Sequence, residues 1–399
     1  MKKIELLAPA GSLEKLKFAY LYGADACYIG GSSYSLRANA KNFTIEQIKE
    51  AVSYAHGLNK KLYVAVNIVF HNEDIDGLVE YLKSLEEANV DAIIVSDLFI
   101  IDLIKEHNIN LEVHISTQYS LANYEAINYL KKKGIKRVVL ARELSCKEIK
   151  DIIEKTGLEV EVFLHGAMCS SYSGRCVLSN YFTGRDANRG GCAQVCRFSF
   201  KLYDNDFNKI DTKVDFTLAS KDLMMIDNIE DMIKIGITSL KVEGRMRSSY
   251  YIATVISTYR EAIDKYYDNK LTNEDLAYYK KVLNKVANRD NISQFFDKFV
   301  DVNSQYYLGR KEESNQDFLG IVRDYDEDKQ EVTMVVKNYF KKGDMVDVFG
   351  PNIKTFSFEM PSFYDEEGNI LQIANHPEDI IKFKLTEKVY QDDIIRIKL

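Results

Sequence analysis

The chain has 399 residues, 46% of them hydrophobic, and a formal net charge of −7. This length predicts a large core and two or three domains. The sequence holds no run of eighteen uncharged apolar residues, and its first twelve residues lack the apolar region of a secretory signal, so neither a membrane span nor secretion is expected. We expect a cytoplasmic protein, in which clustered cysteines favour metal binding or catalysis over disulfides.

The negative charge lies in the last quarter of the chain. Residues 301–399 contain 13 basic and 20 acidic residues, which leaves 40 of each sign in residues 1–300. Bulk charge therefore does not predict nucleic-acid binding. Any RNA contact must use a local basic patch, such as residues 131–137 or the arginines around the cysteines.

Short apolar runs alternate with amphipathic segments over the first 250 residues. The predicted strands are residues 4–7, 26–29, 62–66, 92–95, 111–115, 137–140, 160–164 and 239–242. The predicted helices are residues 13–22, 45–56, 75–88, 98–105, 124–133, 146–155, 222–235 and 250–266. Eight strand–helix units predict a (β/α)8 TIM-like barrel. A doubly wound sheet remains the alternative, although no G-x-G-x-x-G follows the first strand.

The sequence predicts three regions. Residues 1–265 form the barrel, and a long insertion at 166–220 follows its seventh strand. Residues 266–303 are predicted as a helical linker. Residues 304–399 contain short alternating runs broken by Asp, Gly and Pro, which are typical of a small antiparallel β-barrel domain.

Polar residues follow the predicted strands where catalytic groups of such barrels gather. His165 ends the seventh strand, and Glu243 ends the eighth. We consider both as candidate catalytic residues. His165 could equally be a ligand, an anion binder or a structural cap.

Four of the six cysteines lie in the insertion, at Cys169, Cys176, Cys192 and Cys196. Their C-x6-C-x15-C-x3-C spacing suits a 4Fe-4S cluster better than zinc, because structural zinc usually uses two short knuckles. Zinc and unligated thiols stay open as alternatives. Cys27 and Cys146 are predicted to be incidental thiols.

Arginines are abundant around the same predicted mouth. Their guanidinium groups could bind a dicarboxylate or an RNA backbone through paired hydrogen bonds, or could form ion pairs with nearby carboxylates. The candidate substrate-binding residues are Arg142, Arg175, Arg185, Arg189 and Arg245; Arg37, Arg197 and Arg247 are further arginines of the mouth.

Residues 161–179, EVFLHGAMCSSYSGRCVLS, resemble the signature of the collagenase-like peptidases, family thirty-two of unknown catalytic type. Residues 5–31, 35–43, 114–120 and 218–264 resemble the same family. Residues 179–197 resemble its RNA-hydroxylating members most closely. The resemblance implies that the four insertion cysteines hold a 4Fe-4S cluster, that tRNA is the partner, and that wobble uridine becomes 5-hydroxyuridine in a reaction linked to prephenate.

Two other functions are kept open. The family name implies a peptidase, although the sequence contains neither H-E-x-x-H nor G-x-S-x-G. The chain could also be a non-catalytic partner subunit, and either a homo- or a hetero-oligomer is compatible with the sequence.

Overall fold

The computed structural model describes residues 3–36, 42–212, 215–297, 299–307 and 317–399. Eight parallel strands form a closed ring. The last of them in chain order, which is labelled β9 because a short strand outside the ring precedes it, pairs with both β1 and β7. The predicted TIM-like barrel is therefore confirmed. Its strands are β1 (Glu5–Pro9), β2 (Ala26–Gly30), β3 (Lys61–Val66), β4 (Ala92–Val95), β5 (Val113–Ile115), β6 (Arg137–Val139), β7 (Glu159–Gly166) and β9 (Ser239–Val242).

Two additional strands extend the sheet at the seam between β7 and β9. Strand β8 (Asp222–Met224) runs antiparallel to the end of β7, and β10 (Asn291–Ile292) pairs with β8. The prediction of a helix over 222–235 is wrong in its first part, because α8 covers only Ile229–Lys234. Pairing with β7 overrides the local amphipathic pattern, and the buried Asp222 carboxylate is bound by Arg289.

Helices cover the outside of the ring, and their apolar faces form the main core against the strands. Side chains cap several of them: Ser12, Thr44 and Ser145 each accept a backbone N–H of the first turn. The helices are α1 (Leu13–Leu21), α2 (Ile45–Gly57), α3 (Leu78–Glu87), α4 (Phe99–Glu106), α5 (Tyr124–Lys132), α6 (Cys146–Thr156), α7 (Leu178–Thr183), α8, α9 (Ser249–Tyr267) and α10 (Asn273–Lys285).

The space inside the ring is only partly apolar. Leu7, Tyr28, Tyr63 and Ile94 belong to a small apolar cluster there. Charged side chains also lie inside the ring. One of them is Arg137, whose Nη1 is 2.5 Å from Glu5 Oε1. The interior therefore combines apolar packing with buried ion pairs.

The C-terminal residues form an antiparallel β domain, as predicted. Its main sheet has the order β15-β14-β20-β11-β12-β19-β16-β17, with a separate β13–β18 pair and its own apolar core. The strands are β11 (Phe318–Asp326), β12 (Glu331–Val336), β13 (Phe340–Lys341), β14 (Met345–Gly350), β15 (Ile353–Glu359), β16 (Phe363–Tyr364), β17 (Ile370–Leu371), β18 (Ile373–Ala374), β19 (Ile380–Lys384) and β20 (Ile394–Ile397).

Aromatic rings join this domain to the barrel. Tyr250 of α9 stacks on Phe318, with ring centroids 4.8 Å apart, and Tyr22 meets Phe349 edge-on at 5.9 Å. The Tyr22 hydroxyl also donates to the carbonyl of Asp392 at 2.7 Å. The two regions thus share a packed interface.

Among the described residues, no helix is long and apolar enough to cross a membrane.

Candidate functional site

A cavity of about 510 Å³ opens at the carboxyl ends of the barrel strands. The insertion after β7 forms its outer wall, and side chains from inside the ring form its floor. Its floor residues are Tyr28, Ala65, Ile94, Phe163 and Lys241. The mouth expected from the strand ends is therefore enclosed by the expected insertion.

All four insertion cysteines line this cavity. Cys169 and Cys192 are exposed, whereas Cys176 and Cys196 are half-buried. Burial raises the pKa of the Cys196 thiol, and the neighbouring Cys169 and Cys192 raise it further, while Arg197 and Arg289 lower it. Cys169 and Cys192 therefore lie within electrostatic range of the Cys196 thiol.

The other two cysteines lie elsewhere. Cys27 is buried in β2, and Cys146 is the first residue of α6. Burial raises the pKa of both thiols, so both stay protonated at neutral pH.

The barrel holds the loop between Cys169 and Cys176 in place. The backbone N–H of Ser173 donates to Glu143 Oε1 at 2.9 Å, and the Ser173 hydroxyl donates to Glu143 Oε2 at 2.9 Å. Gly174 has a φ of +73°, and a Cβ there would lie 2.1 Å from the carbonyl oxygen of Gln118. Only glycine fits this close approach, which fixes the loop against the β5 and β6 ends.

The second half of the insertion is held by its own polar side chains. Asn188 Nδ2 donates to the carbonyl of Cys176 at 2.8 Å, and the backbone N–H of Ala193 donates to Ser179 Oγ at 3.1 Å. Leu218 N donates to the carbonyl of Cys196 at 3.0 Å. The first two bonds connect the segments that carry Cys176 and Cys192, and the third holds Cys196 against residue 218.

Two of the five candidate arginines line the cavity. Arg142 lies over the Phe163 ring at 3.7 Å and donates to the carbonyl of Ala167 at 2.6 Å. Arg245 is buried, and a Cβ on Gly30 would lie 2.1 Å from its Nη1. The glycine in β2 therefore leaves the space that the Arg245 guanidinium occupies.

The other three arginines lie away from the cavity wall. Arg175 is exposed and donates from Nε to Ser120 Oγ at 3.1 Å, and Arg185 is also exposed. Arg189 forms ion pairs with Glu73, at 2.7 Å, and with Asp74. Arg197 and Arg247 do line the cavity, and Arg37 lies outside the described residues.

The two candidate catalytic residues are placed differently. Glu243 lines the cavity, where its Oε2 lies 3.9 Å from Arg142 Nη2 and 3.3 Å from the Tyr28 hydroxyl. His165 is buried outside the cavity lining, and its Nδ1 lies 3.3 Å from the Tyr259 hydroxyl. Burial, aided by Arg247, lowers the pKa of His165 to about 3, so the imidazole is neutral at physiological pH.

An ion pair at the floor was not anticipated from the sequence. Lys241 Nζ lies 2.7 Å from Glu161 Oε1 and 4.4 Å from the Tyr28 ring centroid. Burial would raise the pKa of Glu161, but Lys241 and Arg137 together hold it below its ordinary value. The sequence does contain a sign of this ion pair, because Glu161 and Lys241 are charged residues inside the apolar strand runs EVEVFL and SLKV.

Fold and site together define a class: (β/α)8-barrel proteins in which a four-cysteine insertion after the seventh strand encloses the barrel mouth. The family model described as peptidase family U32 matches residues 11–311, and that of the peptidase family U32 C-terminal domain matches residues 314–396. The chain belongs to peptidase family U32.

Curated relatives of the chain have different names. It is 48% identical to tRNA hydroxylation protein P1 of Bacillus subtilis, over 99% of this chain and 95% of the relative. It is 36% identical to a 23S rRNA 5-hydroxycytidine synthase of Escherichia coli, over 66% of this chain and 39% of the relative. It is 33% identical to a collagenase of Porphyromonas gingivalis, over 77% of this chain and 74% of the relative.

Proposed function

We propose that this chain is a tRNA-modifying enzyme that hydroxylates uridine at the wobble position to 5-hydroxyuridine. The observation that carries the proposal is the cavity itself, where four thiols and several cationic side chains converge at the carboxyl ends of the barrel strands. A relative that matches almost the whole chain is named for tRNA hydroxylation, and another is named for forming 5-hydroxycytidine in rRNA. Both names describe the addition of a hydroxyl group to RNA.

Cys169, Cys176, Cys192 and Cys196 would hold a 4Fe-4S cluster in this proposal. A tetrahedral zinc ion with Zn–S bonds of about 2.3 Å would hold its sulfur atoms roughly 3.8 Å apart. Among the residues that the structure describes, no three His, Cys, Asp or Glu side chains are close enough together to hold a single ion. Four thiols spread around one cavity suit a larger group ligated at its corners, and such a cluster supplies electron-transfer chemistry when bound.

The cations of the cavity would hold the organic acid of the reaction. Among the described residues, five basic and two acidic ones line it: Arg142, Arg197, Lys241, Arg245 and Arg247, with Glu143 and Glu243. Guanidinium groups bind carboxylates through paired hydrogen bonds. Prephenate, which carries two carboxylates, is the co-substrate that we propose for this positive lining.

The cluster is tested by anaerobic purification followed by iron, sulfide and zinc analysis. We expect about four iron and four sulfide per chain and a broad visible absorption band. Cys176→Ala should lose iron and colour, whereas the matched variant Cys146→Ala should keep both. A colourless protein with one zinc per chain would refute the cluster.

The reaction is tested by nucleoside analysis of tRNA from a deletion strain that has no paralogue. The 5-hydroxyuridine derivatives should disappear and should return with the wild-type gene or with Cys146→Ala, but not with Cys176→Ala. Normal levels in the deletion strain would refute the tRNA function even if the cluster were present.

Proteolysis is the second candidate because one relative is named a collagenase. Within the described part of the chain, no imidazole lines the cavity, so the cysteines and serines there have no histidine base beside them. Cleavage of gelatin by the purified protein, lost in Cys176→Ala and retained in Cys146→Ala, would favour this candidate over hydroxylation.

A further inference from the structure

Large aromatic side chains of the insertion are exposed, although the Phe182 ring also meets Phe200 edge-on at 5.8 Å. Tyr181 is 85% exposed, Phe182 57% and Tyr172 44%. Tyr181 and Phe182 belong to α7, whose Leu178 and Ser179 line the cavity, and Tyr172 lines the cavity itself. Exposed apolar surface of this kind marks interaction sites.

The same stretch carries a local positive charge. Residues 167–201 contain Arg175, Arg185, Arg189, Arg197 and Lys201 but only one acidic residue, Asp186, which gives +5 − 1 = +4 in a chain whose net charge is −7. Arg175 and Arg185 are exposed, and each follows a ring of this group by three residues in the sequence, Tyr172 and Phe182 respectively. Glu73 and Asp74 pair with Arg189, so the exposed Arg175 and Arg185 are the cations that favour a polyanionic partner here.

We propose that Tyr172, Tyr181, Phe182, Arg175 and Arg185 form an RNA-binding surface, the aromatic rim, that holds a single-stranded loop across the cavity mouth. The rings would stack on unpaired bases while the guanidinium groups contact phosphates. This inference rests on the proposed function and adds where the RNA binds.

Single-stranded RNA fits the rim better than a duplex does. The faces of the bases in a paired helix are covered by their neighbours, so exposed rings have nothing to stack on. The cavity volume of about 510 Å³ lies within the range of small-molecule sites, so it can admit one base extruded from the loop. The bases that flank the extruded one would then lie over the rim.

Binding is measured without turnover, by fluorescence anisotropy of the full chain with a labelled RNA stem-loop and with the same loop sequence annealed into a duplex. The stem-loop should bind more tightly. Tyr181→Ala and Phe182→Ala should each weaken stem-loop binding roughly 5- to 100-fold, because each removes one stacking ring. Tyr181→Phe should bind like the wild type.

Two controls test the specificity of this loss. Tyr339→Ala removes a ring that is 50% exposed in the C-terminal domain and should leave binding unchanged. Arg185→Ala should reduce the slope of log affinity against log salt by about 0.7, as expected for one lost phosphate contact on a single strand.

Any one of three results would contradict the proposal that the aromatic rim binds RNA. They are equal affinity for stem-loop and duplex, unchanged binding in both alanine variants, and displacement of the RNA by an unstructured peptide that binds the same rings. Nucleoside analysis separates this failure from failure of the proposed function. Intact 5-hydroxyuridine with normal RNA binding in the rim variants refutes the rim alone, whereas a deletion strain without a modification defect refutes the function.

Discussion

A lysine–glutamate ion pair forms part of the floor of the cavity. Lys241 and Glu161 are both buried, and Arg137 Nη1 lies 3.7 Å from the other oxygen of Glu161. Charges removed from water are tolerated only when they are paired and hydrogen-bonded. The charges of Lys241, Glu161 and Arg137 therefore stabilise one another, and loss of one of these side chains should destabilise the other two.

We expect Lys241→Met to lower the free energy of unfolding by ~3–5 kcal/mol, because it leaves the buried Glu161 carboxylate without its closest partner. Urea unfolding measures the loss. The double variant Lys241→Met/Glu161→Gln removes both charges and should recover most of it. Equal destabilisation of the single and double variants would contradict the pairing.

The buried imidazole of His165 should make the protein sensitive to acid. Its pKa is about 3 in the folded chain and about 6.5 when unfolded. Between these values the unfolded chain binds one more proton, so stability is full above pH 6.5 and falls as the pH drops towards 3. Between pH 7 and pH 5 we expect this residue to cost about 2 kcal/mol.

Urea unfolding of the wild type and His165→Phe at pH 7 and pH 5 checks this expectation. The variant keeps a ring against Tyr251 and Tyr259 but has no proton to gain, so its stability should fall less across this interval. Parallel loss in both proteins would show that other groups govern the acid response.

Sequence reasoning identified the chemical types at the site better than their positions. The four cysteines belong to one insertion and line one cavity, and their role as cluster ligands stays a prediction. Arg175, Arg185 and Arg189 do not line the cavity, because their orientation on the insertion cannot be deduced from spacing, and their role in substrate binding stays a prediction. His165 lies near the end of β7, and the apolar pattern of that strand does not determine that its side chain turns towards Tyr259.

At the scale of elements, the close contact of Gly174 with Gln118 adds to the Ser173–Glu143 hydrogen bonds in holding the insertion against the barrel. Gly174→Ala should impose about 1–3 kcal/mol of backbone strain and also force a Cβ into the carbonyl of Gln118. We expect the insertion to detach while the barrel stays folded. Limited proteolysis should then cut within residues 166–220, and bound iron should fall.

Gly184→Ala is the matched control for this change. Gly184 also has a positive φ, +64°, but a Cβ there meets nothing within 4 Å. The Gly184→Ala variant should suffer only the backbone strain of the left-handed conformation, and its insertion should stay docked on the barrel. Equal protease sensitivity in the two variants would show that the left-handed conformation, and not the contact with Gln118, controls docking.

The eight barrel strands were predictable because each is a short apolar run between helix signals. Strand β8 was not, because residues 222–224 are fixed by pairing with β7, which lies far away in sequence. Strand β10 has only two residues and depends on β8 in turn. Local pattern cannot specify elements that exist only through such long-range partners.

At the scale of the whole molecule, the barrel and the C-terminal domain should unfold together. Phe349 lies at their interface, with Arg396 over its ring at 4.6 Å and Tyr22 at its edge. Phe349→Ala should cost about 3–5 kcal/mol and split a single calorimetric transition into two. A single transition at an unchanged temperature would show that the interface contributes little.

The antiparallel pairing of β7 with β8 has an architectural consequence. Gly166 and Leu223 are direct partners across this ladder, so the chain leaves the barrel and returns to it at one point. The insertion between β7 and β8 is thus joined to the ring at two adjacent positions, and a short hairpin turn could replace it without opening the ring. The same barrel could therefore carry a different insertion at this point, and the residues that line the cavity would change with it.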